Sequence, residues 1–108
     1  MQTVVDILRA ARDKISDPSR WTTRDYAKNK WGEPTSGHDP DAVCWCAYGA
    51  VMSVSNSFHA RCNAEETLEL AAKAIDPGFN CVADFNDTLG HEAVIEMFDA
   101  AIAKSEAA

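Results

Sequence analysis

At 108 residues, with 46% hydrophobic and 25% charged side chains, the chain has the size and composition of one globular domain with its own core, which excludes a disordered segment or a scaffold held by staples. A formal net charge of −7 excludes the basic footprint of a non-specific nucleic-acid binder and disfavours an anionic membrane surface, while it suits a basic protein partner drawn in by charge. No apolar run reaches the roughly 18–20 residues that span a bilayer, and Met1–Asp6 lacks a basic region followed by an apolar stretch, so the expected compartment is the cytoplasm.

Four helical segments are predicted in chain order. The first runs from about Thr3 to Ser16: Thr3 and Asp6 form a capping pair, and Val4, Ile7, Leu8, Ala11 and Ile15 recur at helical spacing. Asp17-Pro18 ends it, because the proline ring disfavours helical geometry in the preceding residue. From Ser19 to His38 the pattern is irregular, with Trp21, Tyr26 and Trp31 set among polar residues. Gly32-Glu33-Pro34 marks a turn that two short strands can flank. Long loops are often functional, but aromatics at such positions also serve simply to pin a loop onto the helices.

The second helix is expected to start with Asp39 as N-cap and Pro40 at the first helical position, with Asp41 beside the positive end of the helix dipole. From Ala42 to Val54 nearly every side is apolar, which predicts a buried central helix. Gly49-Ala50 permits close approach of a neighbouring backbone. Ser55-Asn56-Ser57 closes this segment, and Phe58 is expected to tuck beneath it. A third helix is predicted from Asn63, with Glu66 in the capping-box position and Leu68, Ala71, Ala72 and Ile75 facing inward. Phe79 to Asp87 reads as a connector with apolar anchors. A fourth helix is predicted from Thr88 or Leu89 to Ala103, with Val94, Phe98, Ala101 and Ile102 inward and a fraying tail beyond Lys104.

Four cysteines and three histidines raise metal, disulfide and nucleophile chemistry. The best zinc set would be Cys44, Cys46, His59 and Cys62. In a helix, however, positions i and i+2 point about 200° apart, so Cys44 and Cys46 could not both reach one metal, and no metal is expected. A disulfide does not suit a cytoplasmic protein. For a cysteine nucleophile, Cys46 would need His91 as base and Asn86 or Asp87 to orient the imidazole. Against this, a mid-helix cysteine lacks the helix start that lowers a thiol pKa, and free cysteine is commonly just buried. His91 also suits a half-buried position in the first turn of its helix, and Asn86-Asp87 a turn and cap. Neither a phosphate-cradling glycine loop nor any other cofactor motif is present, and no cofactor is expected.

The pattern Asp39-x-x-Ala42-x-x-Trp45-Cys46-x-x-Gly49-Ala50, preceded by Trp21 and followed by Asn86-Asp87, resembles a family of small uncharacterised domains encoded by bacteria and their phages. In that pattern a tryptophan usually precedes the Asn-Asp pair, where this chain has Phe85. The resemblance spans most of the chain and supplies no activity; it implies that Trp45, Cys46, Asn86 and Asp87 belong to one constellation. The expectation is therefore a single, mainly α domain over residues 1–108: a compact four-helix arrangement around a buried central helix, with a long aromatic loop and a small β-hairpin. Its expected role is that of a binding or regulatory module meeting a protein partner through Trp21, Trp31, Asp39, Trp45, Asn86 and Asp87. The alternative is a small thiol-dependent hydrolase or transferase using Cys46 and His91.

Overall fold

The Thr3 hydroxyl accepts the backbone N–H of Asp6 while the Asp6 carboxylate accepts that of Thr3, and this reciprocal cap starts α1, Val4–Lys14. The computed structural model describes residues 2–79 and 81–107. Ile7, Leu8 and Ala11 of α1, with Ile15 just past its end, are fully buried, as their spacing predicts. A single 3-10 turn, Pro18–Arg20, follows, capped by Asp17.

Three short strands come next: β1, Ala27–Asn29; β2, Pro34–Thr35; and β3, Ala42–Trp45. They form an antiparallel sheet in the order β2-β1-β3, with Ala27 opposite both Thr35 and Trp45. The β1–β2 turn uses Gly32 at φ +77°, and the Asn29 side chain accepts the N–H groups of Trp31 and Glu33. The expected hairpin is therefore present, and it carries a third strand that was not expected.

That strand corrects the central-helix expectation. The helix covers only Ala47–Val54 (α2), and Cys46 is its N-cap. Asp39 caps nothing helical: its carboxylate accepts the N–H of Asp41 and the hydroxyl of Thr35, closing the turn before β3, and both bonds hold its carboxyl below the usual carboxylate range. A continuous apolar run is equally compatible with a buried strand and a buried helix. Ala42–Trp45 becomes a strand because β1 offers it a ladder.

α3, Phe58–Ile75, begins five residues before the expected Asn63, because the Ser57 hydroxyl accepts the N–H of Ala60. Phe58 does not tuck inward; it is 73% exposed. The expected connector is instead largely a helix, α4, Val82–Leu89, and Gly90 at φ +91° separates it from α5, His91–Ala107. Among the described residues there are thus five α-helices instead of four. The inward residues Leu68, Ala71, Ala72, Val94, Phe98 and Ala101 are buried as predicted, and α5 stays helical past Lys104. α1 packs against α2, α3 and α5, while α4 packs against α2, α3 and α5. Val82 and Phe85 of α4, with Met97 of α5, complete the core. Exposed ion pairs Arg9–Glu106 and Arg12–Asp99 join α1 to α5 and add little stability.

Gly49 decides how the sheet meets the helices. A Cβ at this position would lie 1.7 Å from the carbonyl oxygen of Tyr26, so the chain entering β1 touches α2 at bare backbone. A Cβ at Gly37 would likewise lie 2.7 Å from the Gly49 carbonyl oxygen. Because the obstacle at Gly49 is backbone, Gly49→Ala is expected to lower unfolding free energy by about 3 kcal/mol or more, read from urea denaturation. A loss below about 1 kcal/mol would mean that the contact can relax.

Candidate functional site

Asn86, on α4, is fully buried and uses its whole hydrogen-bonding capacity. Its amide oxygen accepts the Trp21 indole N–H at 2.8 Å and the Ala47 backbone N–H at 3.1 Å. Its amide nitrogen donates to the Thr22 carbonyl at 3.1 Å and to the Asp87 carboxylate at 3.1 Å. The same carboxylate oxygen of Asp87 accepts the Arg24 N–H at 2.9 Å. Arg24 is held at φ +73°, a backbone region that non-glycine residues seldom occupy. Thr22 N–H donates to the Trp45 carbonyl at 3.0 Å, and Cys46 N–H to the Tyr26 carbonyl at 3.2 Å. One buried amide thereby fastens the Trp21–Arg24 segment, the β3–α2 junction and α4 to each other.

Above this clasp lies a cleft of about 680 Å3, lined by Arg24, Asp25, Tyr26, Cys46, Tyr48 and Asp87, with Pro34–Ser36 and Ala83 completing its walls. Cys46 is 7% exposed. Its sulfur accepts the Gly49 N–H at 3.4 Å, so it stands at a helix start and not in mid-helix as the sequence suggested. Burial nevertheless pushes its thiol pKa up; the N–H groups of Gly49 and Tyr48 oppose that shift, and the negative charge of Asp87 adds to it. Tyr48 donates its hydroxyl to Glu69 at 2.8 Å, and burial, then Glu69, push its pKa up as well.

His91 is turned elsewhere. Its Nε2 lies 2.7 Å from the Ile15 carbonyl, and its ring meets Trp21 edge-on at 5.7 Å between centroids. No histidine lines the cleft and no hydrogen bond joins His91 to Cys46 among the described residues. The Cys46, His91 and Asn86 or Asp87 grouping is thus split: Asn86 and Asp87 sit at the Cys46 end, while Trp21 stands between Asn86 and His91. Trp45 is buried, donating its indole N–H to the Gly37 carbonyl at 3.3 Å beneath the Lys14 ammonium. Trp31 lies at the hairpin turn, 70% exposed, with Lys30 over its ring. Asp39 is in the turn before β3, outside the cleft lining.

Cys44 sits on β3 and Cys46 at the α2 cap, so the helical geometry used to weigh zinc does not apply; His59 and Cys62 lie on α3. Among the described residues no three His, Cys, Asp or Glu side chains converge on a metal position, and all four cysteines are free. No helix of the described residues is long and apolar enough to cross a membrane.

The DUF6197 family model, described as a family of unknown function, matches residues 1–104. The chain belongs to this family. No curated protein and no solved structure matches it. In this DUF6197 domain the residues of the Trp-Cys-x-x-Gly-Ala pattern have separate structural duties: Trp45 closes the sheet over the core, Cys46 caps α2, Gly49 admits the Tyr26 carbonyl, and Ala50 is buried. Arg24, Asp25 and Tyr48 were missed as cleft residues. Tyr26 stood out in the sequence only as one of the loop aromatics.

Asn86→Ala leaves an indole N–H, a helix N–H and a carbonyl without partners, and is expected to cost about 3 kcal/mol in urea denaturation. A near-neutral result would refute the clasp. For the thiol, mass-spectrometric alkylation should find Cys46 slower at neutral pH than the half-buried Cys44, Cys62 and Cys81. Its rate should still be climbing above the pH at which an ordinary thiol is fully ionised. A fast Cys46 at neutral pH would contradict this environment.

Proposed function

We propose that this domain is a cytoplasmic binding or regulatory module of bacterial or phage origin, which engages a protein partner through the cleft and the aromatic hairpin above it. The observation that carries the reading is the cleft itself. It is large enough to receive side chains, it is walled by two tyrosines and several polar groups, and it opens beside half-exposed Tyr26. Aromatic residues at such a rim supply much contact area at small entropic cost. Trp31, on the same hairpin, extends the surface a partner would meet. The bacterial or phage origin is inferred from the motif resemblance alone.

The thiol-enzyme alternative draws support from the placement of Cys46 at a helix start inside a cleft. It is disfavoured because the thiol is buried, its anion is opposed by Asp87, and His91 is committed to the Ile15 carbonyl. A nucleophile needs its thiolate and a base within reach.

Photo-crosslinking residues placed at Tyr26, at Trp31 and, as a control, at exposed Ala103 on α5 test the reading in cells. The same protein is expected from positions 26 and 31 and not from 103, and Cys46→Ala should preserve that capture at a stability loss of about 1 kcal/mol. Capture from position 103 alone, or a turnover that vanishes in Cys46→Ala with the fold intact, would sink it.

A further inference from the structure

We propose that the cleft receives a cationic side chain, lysine or arginine, from a basic segment of the partner, seated against the carboxylates of Asp25 and Asp87 and flanked by the rings of Tyr26 and Tyr48. The inference rests on the cleft being the binding site and adds the chemistry of what enters it.

The charges of the lining favour a cation. The lining holds two carboxylates, Asp25 and Asp87, and one cation, Arg24, with Lys28 beside Asp25, in a chain whose net charge is −7. Arg24 does not neutralise Asp87, because it is the backbone N–H of Arg24 that meets the carboxylate, and its guanidinium makes no ion pair among the described residues. One Asp87 oxygen is occupied by two donors, the Arg24 N–H and the Asn86 amide, which fix the carboxylate on α4. The other oxygen accepts no hydrogen bond among the described residues, so it is an oriented acceptor free for an incoming N–H. An acceptor already held in place spends no ordering entropy when it binds. Charge-assisted bonds of this kind are among the stronger ones.

Among the described residues Asp25 is engaged only by Lys28, at 3.9 Å, a long and partly exposed contact that a better-placed cation can displace. Tyr48 is fixed by its bond to Glu69, which puts a further carboxylate behind that ring. Tyrosine faces attract ammonium and guanidinium groups and cover the apolar stem of a long side chain. An anionic ligand could meet the Arg24 guanidinium, but it would also meet two carboxylates, a third at the Tyr48 hydroxyl, and long-range repulsion from the whole chain. The same charge steers a basic segment toward the cleft.

The test is a titration of the full chain, followed by backbone amide NMR, with three probes. These are an amidated, acetylated Ala-Arg-Ala-Lys-Ala peptide, its Glu-for-Arg and Glu-for-Lys counterpart, and agmatine as a free cation. The basic peptide is expected to shift the amides of Arg24, Tyr26, Cys46 and Asp87 and to bind more weakly as salt is added. Asp87→Asn keeps the oxygen that holds Arg24 and Asn86 while removing the charge. It should therefore retain the thermal midpoint and weaken the basic peptide about tenfold. If the acidic peptide shifts the same amides as strongly, the cleft survives as a binding site and the cation assignment falls. Agmatine binding as tightly as the peptide would replace the protein segment by a small cation. Asp87→Asn binding with unchanged affinity overturns the proposal, and shifts confined to amides outside the cleft overturn the cleft reading with it.

Discussion

The Asn86 side chain is the interaction on which the arrangement of this domain depends. Its amide meets the Trp21 indole N–H and the adjacent Thr22 carbonyl from one loop, a helix-terminal N–H at Ala47, and the carboxylate of its own neighbour Asp87. An amide is the only neutral side chain that offers two donors and an accepting carbonyl oxygen at one point. Aspartate would lose both donations, and leucine all four bonds. Because the site is sealed from water, each missing partner would leave a buried polar group unmatched, and this makes the loop, α2 and α4 a single unit.

The cleft is a by-product of that unit and of one missing Cβ. Gly49 lets the Tyr26 carbonyl rest on α2, which brings β1 down beside Cys46 and leaves Tyr26 at the rim. Asn86 meanwhile places its neighbour Asp87 at the opposite wall, where it grips Arg24. The position of Cys46 follows from the same geometry. A helix start normally favours a thiolate, but here burial and the Asp87 charge prevail over the two N–H groups. The cysteine therefore functions as an N-cap and part of a wall, and the polar character of the cleft comes from Asp25, Asp87, Arg24 and the tyrosines.

Several elements were legible because their signals are local. α1 is bounded by a capping pair and a proline and has a clean apolar stripe, so its existence, its ends and its buried face could all be read from neighbouring residues. The inward faces of α3 and α5 were legible for the same reason, and the hairpin announced itself through Gly32-Glu33-Pro34. Residues 42–45 were misread because an all-apolar run has no periodicity to separate strand from helix, and only β1, fifteen residues upstream at Ala27, settles it. α4 was missed because Asn86 and Asp87 look like turn residues; their polarity is spent on contacts more than sixty positions away, with Trp21, Thr22 and Arg24.

The sequence by itself determined the mainly helical class, the core-facing residues of three helices, the acidic charge and the special character of Trp45, Cys46, Gly49, Asn86 and Asp87. These follow from spacing, capping chemistry and composition, which act over a few residues or over the whole chain at once. Only the tertiary structure decided that Cys46 caps a helix, that His91 turns away to Ile15, and that Arg24, Asp25, Tyr26 and Tyr48 share one cleft with Asp87. Each of those depends on contacts between segments distant in the chain. Such contacts are selected by steric fit and by the need to pair every buried donor and acceptor, and neither condition leaves a periodic trace in the sequence.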